Sequence, residues 1–183
     1  ISCSEDEVFV DLGSYIGDTI LSYISNMHHY AQIYTYEASV DNMYQVKENT
    51  KSYSNITYRQ CAVGNYNGLA YLDINDDKSA NCISTNGGNA VNIVTLDSDI
   101  KEKITFLKMD IEGSETNAIE GAKRHIREEH PKLAIACYHN NHDIWRLAKQ
   151  IYEIEPGYRF YLRYYGGALY PSEYVLYGIC EIE

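Results

Sequence analysis

The sequence predicts an α/β fold: a mostly parallel sheet of seven strands with helices on both faces. Short β-rich segments alternate with amphipathic segments of helical period, the pattern that builds a parallel sheet covered on both sides. The last two β-rich segments follow each other without a helix, which favours an antiparallel C-terminal hairpin. The 183 residues, 45% of them hydrophobic, suit one domain with a single core.

Seven segments carry the strand pattern, each short, apolar and bounded by polar or turn-forming residues. In chain order they are residues 8–10, 33–36, 56–63, 104–109, 133–138, 158–165 and 174–181. Residues 65–98 are the least periodic part of the chain, and a short hairpin is expected over 69–74. We expect this irregular segment and the tyrosine-rich terminal hairpin to contact the substrate.

Four helices are expected between these strands. Ser39 or Asp41 caps the second helix, Ser114 opens the third, and Asp143 caps the fourth. Helix by helix, the residues predicted to face the core are Ile16, Ile20 and Ile24; Val40, Met43, Tyr44 and Val46; Ala118, Ile119, Ala122 and Ile126; and Ile144, Leu147, Ala148 and Ile151.

Composition excludes several classes of protein. With 26 acidic and 15 basic residues the net charge is −11, which disfavours binding to nucleic acid through its phosphates. No segment approaches the roughly 18 apolar residues of a membrane span. The five cysteines are widely spaced, which indicates neither a disulfide framework nor a zinc site, and we expect reduced thiols in a cytoplasmic protein.

The ends of the chain and its scattered histidines support two further expectations. The first residue is Ile1 rather than Met, so we expect residues 1–183 to be one domain of a longer protein, with an upstream domain as a partner. His28, His29, His125 and His130 lie on or beside the expected helices and are predicted to be surface residues.

Polar residues end four of the expected strands: Asp11, Glu37, Asp110 and His139. Open α/β sheets bind ligands outside the carboxyl ends of their strands, so these four are candidate site residues. The loop after Asp11 contains Gly13 and Gly17, which allow a sharp turn and a close approach to the first helical turn.

That loop indicates a nucleotide-type cofactor without a bound pyrophosphate. Tyr15 stands where the dinucleotide fingerprint needs glycine, and the lysine of a P-loop is missing. The carboxylate of Asp11 would favour a cationic ligand. Glu37 is placed where such folds hold a ribose, because a carboxylate can accept hydrogen bonds from both hydroxyl groups.

These motifs, taken together, resemble the FkbM family of S-adenosylmethionine-dependent methyltransferases. The resemblance runs from residue 8 to about residue 177 and rests on residues 11–19, 36–39, 61–64, 95–97, 107–115 and 138–139. Its most specific part is the pattern K-x-D-x-E-G-x-E, which begins at Lys108. Tyr15 departs from the family's usual small or amide residue.

The resemblance implies a class I, Rossmann-like O-methyltransferase that uses S-adenosylmethionine and acts on a sugar, polysaccharide or secondary metabolite. The implied neighbours of the cofactor's amino-acid part are Asp11, Gly13 and Gly17, with Ser14, Tyr15, Asp18 and Thr19 of the same loop. Glu37 would bind the ribose. Ala38, Ser39, Ala62 and Val63 would lie near the adenine, and Asp110 beside the methionine and the reaction centre.

Transfer to a hydroxyl group requires alignment and removal of the hydroxyl proton. His139 is the first candidate for the base, because an imidazole pKa near 6.5 suits that task at neutral pH. Glu112 and Asp110 are the alternatives. A second interpretation gathers Asp97, Asp110, Glu112, His139 and His142 around a divalent metal.

Two other functions stay open at this point. The chain could be an inactive methyltransferase-like domain that serves as a binding or scaffold module in a glycan-biosynthesis protein. It could also be an NAD-dependent enzyme, although the loop after Asp11 argues against that. The acceptor is expected to be a small molecule or a glycan, in keeping with a role in carbohydrate biosynthesis.

Overall fold

The computed structural model describes residues 6–27, 29–73, 82–84, 89–167 and 173–181. The strands are β1 Val8–Leu12, β2 Gln32–Tyr36, β3 Ile56–Arg59, β4 Ala62–Val63, β5 Gly68–Asp73, β6 Cys82–Ser84, β7 Asn89–Val94, β8 Phe106–Met109, β9 Lys132–Ala136, β10 Tyr158–Tyr164 and β11 Tyr174–Cys180. The helices are α1 Asp18–Met27, α2 Val40–Thr50, α3 Leu96–Asp99, α4 Glu115–Gly121, α5 Lys123–Glu129 and α6 Asp143–Ile154.

The central sheet has seven strands in the order β10-β11-β9-β8-β1-β2-β3. Every neighbouring pair is parallel except the two that involve β11, which runs antiparallel to both β9 and β10. The predicted mostly parallel sheet with a C-terminal antiparallel hairpin is therefore confirmed. The last strand lies between β9 and β10 instead of at the edge.

The register aligns the carboxyl ends of the central strands. Leu12 at the end of β1 lies opposite Tyr36 of β2 and Met109 of β8, and Met109 lies opposite Ile135 of β9. The polar residues that follow these strands are thereby brought to one edge of the sheet.

Two apolar layers cover the sheet. On one face Phe9 and Ile33 pack with Ile20 of α1 and Met43 of α2. On the other face a larger cluster joins the sheet to α3, α4, α5 and α6, with Ile119 and Leu147 fully buried in it. Among the described residues, no helix combines the length and the apolar character that crossing a bilayer requires.

The predicted core stripe of α2 is wrong at two positions. Ser39 caps the helix by accepting a hydrogen bond from the Asn42 backbone, as expected, but Val40 and Tyr44 are more than 60% exposed. These two residues are four apart and share a face that points away from the sheet. The buried stripe is Asn42, Met43, Val46 and Thr50.

Other predicted boundaries shift because non-local contacts divide the segments. The strand expected over 56–63 separates into β3, in the central sheet, and β4, which joins a second sheet of order β4-β7-β5-β6. The hairpin expected over 69–74 begins in β5, and Ile74 lies outside the described residues. The strand expected over 133–138 ends at Ala136, so His139 lies on a loop.

Ser114 is the N-cap of its helix, as predicted, but two other details of the predicted helices differ. The helix expected after Ser114 breaks at Ala122 into α4 and α5. There, a Cβ on Gly121 would lie 1.9 Å from the Gly64 carbonyl oxygen, so the helix backbone packs directly against the chain after β4. His142, not Asp143, is the N-cap of α6.

The predicted surface positions of the histidines hold only in part. His29 is exposed, whereas His125 is fully buried, with Nδ1 2.6 Å from the Glu129 carboxylate. The prediction for His125 is wrong, because α5 packs that face against Leu96 and Glu129 supplies a buried partner for the ring. His28 lies outside the described residues.

Candidate functional site

A cleft opens at the carboxyl ends of β1, β2 and β8 and holds about 590 Å³ of empty space, its open mouth included. Seven of the predicted cofactor residues line it: Gly13, Tyr15, Glu37, Ala38, Ala62, Val63 and Asp110. Its other walls are Leu12, Tyr36, Asn42, Cys61, Leu72, Ile111, Glu112 and Ser114. Ser39 faces a neighbouring depression instead.

The turn after β1 packs tightly on the turn after β8. Gly13 has φ +76°, and its N–H donates to the Tyr36 carbonyl oxygen at 3.0 Å. A Cβ built on Gly13 would lie 1.8 Å from the Asp110 carbonyl oxygen. Only a residue without a side chain allows this approach, so Gly13 holds the turn after β1 against the turn after β8.

We expect Gly13→Ala to destabilise the fold by about 2–3 kcal/mol, because it combines a strained φ with a backbone overlap. Thermal and urea unfolding of the two proteins measure the effect. Gly68→Ala is the matched control, because the nearest atoms to its Cβ would be those of the Tyr66 ring at 3.5 Å. A Gly13→Ala protein as stable as the control would contradict the close packing described here.

Glu37 is held in a fixed orientation by two backbone donors. Its Oε2 accepts from the Tyr15 N–H at 3.0 Å and its Oε1 from the Ser39 N–H at 2.8 Å. Tyr15 reaches this position with φ +48°. Burial raises the pKa of Glu37, although the two hydrogen bonds oppose that shift. Each oxygen keeps a lone pair for a further donor, such as a ribose hydroxyl.

Asp11 lies beneath the loop and not on the cleft wall. Its side chain is fully buried, and its Oδ1 is 3.0 Å from the Lys108 Nζ. The same ammonium donates to the Gly13 carbonyl oxygen at 2.8 Å. Burial raises the pKa of Asp11 against the opposing effect of Lys108. The buried ion pair therefore holds Lys108 where its ammonium group can bind the Gly13 carbonyl oxygen.

The remaining predicted loop residues also lie outside the cleft wall. Ser14 is buried and shares a hydrogen bond of 2.5 Å with the Thr35 hydroxyl. Gly17, with φ +87°, packs against Val46 and Thr50 of α2. Asp18 begins α1. Thr19 lines a separate groove that also borders Asp110 and is described below.

Three side chains that the sequence places at the reaction end converge. The Nε2 atom of His139 is 3.4 Å from Asp110 Oδ1 and 3.5 Å from Glu112 Oε2. Glu112 and Gly113 have φ +54° and +91°, so the turn after β8 doubles back and brings the Glu112 carboxylate to His139. Only 8% of the His139 side chain is exposed.

Glu115 is the residue that sequence reasoning missed. It lies in the first turn of α4 with its side chain 1% exposed, and its Oε1 is 3.1 Å from His139 Nδ1. The same oxygen accepts the Ile111 N–H at 3.0 Å. Its one sequence signal is its place as the last glutamate of K-x-D-x-E-G-x-E, a position that an ordinary helix-start carboxylate also occupies.

The pKa shifts follow from this arrangement. Burial alone would lower the pKa of His139, but Glu115, Asp110 and Glu112 outweigh it and raise that pKa above its usual range. Burial alone would raise the pKa of Glu115, but His139 and the Ile111 N–H hold it below its usual range. The pair thus favours a charged carboxylate next to an imidazole that readily accepts a proton.

Residues 11–162 match the Methyltransferase FkbM domain. The chain belongs to the FkbM methyltransferase family. The predicted family and the cofactor that it implies, S-adenosylmethionine, are therefore confirmed. No protein of curated function matches the chain in sequence.

Among solved structures, the chain is similar to the FkbM methyltransferase of Methylobacillus flagellatus KT, with 28% identity and a TM-score of 0.82 over 97% of this chain. The chain spans 44% of the length of that protein. A Streptococcus mutans protein in complex with SAH matches with 11% identity and a TM-score of 0.61, over 96% of this chain and 90% of its own. TYW2 of M. jannaschii, in complex with AdoMet, matches with 13% identity and a TM-score of 0.57, over 96% of this chain and 68% of its own.

The last two likenesses show the fold alone, which is that of class I methyltransferases. The predicted Rossmann-like fold is confirmed, and the cleft of this FkbM domain lies at the strand ends where the sequence predicted a cofactor. Gly13 and the orientation of Glu37 are the observations by which the cleft fits a nucleoside.

The five residues that the alternative metal interpretation would need do not all come together in this FkbM domain. Asp97 accepts hydrogen bonds from the backbone N–H groups of Arg124 and His125, at the start of α5. His142 occupies the N-cap position of α6 without a side-chain capping hydrogen bond, and its ring contacts the Trp145 ring. Asp97 therefore supports the start of α5, whereas His142 is an exposed residue at the start of α6.

Asp110, Glu115 and His139 do each place one ligand-type atom within 4.8 Å of the others. However, the imidazole presents Nδ1 to Glu115 and Nε2 to Asp110. The two ring nitrogens point in different directions. This geometry therefore suits separate N–H contacts to the two carboxylates better than a single ion bound by all three residues.

A groove on the far side of Asp110 contains several of the tyrosines. Tyr138, Tyr165, Tyr177 and Glu173 line it, and Asp110 lines both this groove and the cleft. The Tyr138 hydroxyl donates to Asp110 Oδ1 at 3.3 Å. Of the irregular segment over 65–98, Leu72 lines the cleft. The cofactor cleft and the tyrosine groove thus meet at Asp110.

Proposed function

We propose that this FkbM domain is an S-adenosylmethionine-dependent O-methyltransferase that methylates a hydroxyl group of a sugar, a polysaccharide or a secondary metabolite. The observation that carries the proposal is the position of Asp110, which is shared by the cofactor cleft and the tyrosine groove and lies beside His139. A donor in the cleft and an acceptor in the groove would meet at Asp110, beside His139 and Glu112, which can accept a proton.

Different residues of the cleft would bind different parts of the cofactor. Glu37 accepts hydrogen bonds from ribose hydroxyls, and Ala62 and Val63 supply apolar walls near the adenine. S-adenosylmethionine supplies an electrophilic methyl group on a positively charged sulfur. The Asp110 carboxylate favours that charge at the reaction end, in a protein whose net charge is −11.

In this proposal His139 removes the acceptor proton. Its Nε2 faces Asp110 and Glu112, and the acceptor hydroxyl would donate its proton to Nε2. The Nδ1 atom faces Glu115, which holds the ring and stabilises the imidazolium that results. The carboxylates of Asp110 and Glu112 would accept hydrogen bonds from neighbouring hydroxyl groups of the acceptor and so orient it.

The groove favours an uncharged acceptor with many hydroxyl groups. Tyrosine faces would pack against the apolar side of such a molecule, and the carboxylates of Asp110 and Glu173 would accept hydrogen bonds from its hydroxyl groups. An anionic acceptor would be repelled by these carboxylates. This supports the carbohydrate part of the proposal.

The proposal also covers the wider setting of the domain. Residues 1–183 form one methyltransferase domain of a longer protein, which agrees with the 97% of this chain and the 44% of the M. flagellatus protein that are matched. Cys61, Cys137 and Cys180 carry free thiols, which supports a cytoplasmic location.

Titration calorimetry with S-adenosylmethionine, S-adenosylhomocysteine and NAD tests the cofactor site. We expect the two sulfur ligands to bind and NAD not to bind. Glu37→Gln should weaken their binding by about 10- to 100-fold, because a hydrogen bond to a charged group contributes about 1.5–3 kcal/mol and an amide NH₂ would face a backbone donor. Glu48→Gln, on the exposed face of α2, is the matched control.

The outcome separates the two remaining functions. Binding that is lost in Glu37→Gln and kept in Glu48→Gln supports the enzyme. A folded protein that binds neither sulfur ligand would overturn the proposal and leave a scaffold role.

A further inference from the structure

A second group of ligand-type side chains lies at the opposite end of the sheet from the cleft. His130 follows α5, Glu155 follows α6 and Cys180 ends β11. Because β11 runs antiparallel to β9, its last residue lies at the edge where β9 begins. Three segments that are distant in the sequence therefore end at one place.

The donor atoms of these side chains are close enough to one another to share a metal ion. One ligand atom from each residue lies within 4.8 Å of the other two. His130 Nε2 and Glu155 Oε2 are 3.5 Å apart. Two such ligands on a tetrahedral zinc ion would be roughly 3.4 Å apart, given Zn–N and Zn–O distances of about 2.1 Å.

Gly157 keeps the space between the donors open. A Cβ on this residue would lie 2.9 Å from Cys180 Sγ and 3.1 Å from Glu155 Oε1. The Gly157 N–H also donates to Glu155 Oε1 at 3.0 Å, which leaves Oε2 facing His130. Backbone support of this kind orients a metal-binding carboxylate.

We propose that His130, Glu155 and Cys180 bind one zinc ion. Thiolate, imidazole and carboxylate are the three ligand types of zinc, and a water molecule would complete the tetrahedron. Both His130 and Glu155 are about a quarter exposed, so an ion can enter from solvent. On binding, the Zn–S bond forms as the thiol proton passes to solvent.

The wide spacing of these residues explains why the cysteine pattern indicated no zinc site. Zinc motifs that can be recognised in a sequence place two ligands within a few residues of each other. Here the three ligands are 25 residues apart, since His130, Glu155 and Cys180 follow one another at that interval. The sheet topology, rather than local sequence, brings them together.

Zinc and cobalt titrations of the tag-free, metal-stripped protein test the site. We expect one ion per chain, with a Co²⁺ spectrum that contains a thiolate charge-transfer band, and a higher Tm with zinc. Cys180→Ser and His130→Asn should each lower the affinity at least tenfold and abolish or weaken that band. Gly157→Ala should also lower the zinc affinity, because its Cβ would crowd the Cys180 thiol although no ligand is removed.

Two control variants place the ion. His139→Asn and His29→Asn should bind zinc as the unaltered protein does, because neither residue belongs to the group of three ligands. Zinc binding that persists in Cys180→Ser, or that is lost in His139→Asn, would overturn the proposal. So would a folded protein that binds no ion. Because the readout is metal binding, the result does not depend on methyltransferase activity.

Discussion

His139→Asn is expected to lower kcat for methyl transfer by about 10²- to 10⁴-fold, the range over which a positioned general base contributes. Asparagine keeps hydrogen-bonding atoms near Glu115 and Asp110 but cannot accept the acceptor proton. The affinity for S-adenosylmethionine should not change, since His139 does not line the cofactor cleft.

Release of S-adenosylhomocysteine measures the effect, with an acceptor found by screening sugars and glycans with the unaltered enzyme. Calorimetry on the same variant provides the control for cofactor binding. An unchanged kcat would mean that Glu112 or Asp110 takes the proton, and the role proposed for His139 would be wrong.

Glu115→Gln should change the pH dependence as well as the rate. Activity needs neutral His139, so it rises with pH through the pKa of that imidazole. Glu115 helps to raise this pKa, so its neutral replacement should move the acidic limb of the profile to lower pH. The plateau should fall by about 10- to 100-fold, because the imidazolium loses a charge-assisted hydrogen bond worth about 1.5–3 kcal/mol.

An NMR titration of the His139 ring follows the same pKa without an acceptor. Glu120→Gln is the matched control, because Glu120 is an exposed carboxylate on the same helix. If the His139 pKa is the same in Glu115→Gln and in the unaltered protein, Glu115 is not a positioning residue.

Lys108→Met is expected to be the most destabilising of the substitutions, at about 3–5 kcal/mol, the usual cost of leaving one charge of a buried pair alone. Asp11 has no exposed surface, and Lys108 is its ion-pair partner at 3.0 Å. The Gly13 turn would also lose the ammonium that donates to its carbonyl oxygen.

Urea unfolding measures the loss, and the double variant Asp11→Asn/Lys108→Met should recover much of it because no charge is then buried. Lys123→Met removes the partner of an exposed glutamate and should cost no more than about 1 kcal/mol. Equal losses for the two lysines would contradict the buried ion pair.

The position of the site could be predicted because parallel strands end at a common edge. Glu37, Asp110 and His139 each follow a strand in the sequence, so the fold class alone brings them together. Asp11 also follows this logic, but its side chain points into the protein. Its partner Lys108 lies on a neighbouring strand nearly a hundred residues later, and no local pattern shows that contact.

Glu115 and the second sheet were missed for a related reason. A carboxylate in the first turn of a helix has an ordinary explanation in the helix dipole, and its contact with His139 depends on how α4 packs beside the loop after β9. The pairing of β4 with β7 similarly joins segments with irregular sequences. Burial and cross-strand partners are properties of the assembled fold.

The insertion of β11 between β9 and β10 has a consequence for protein synthesis. A chain that grows from its N-terminus completes β9 and β10 before β11 emerges from the ribosome. Until then β9 has one unpaired edge and β10 has no neighbour in the sheet, a state that invites wrong pairing with other chains. The nascent domain can therefore complete its sheet only when β11 has been synthesised and has inserted between β9 and β10.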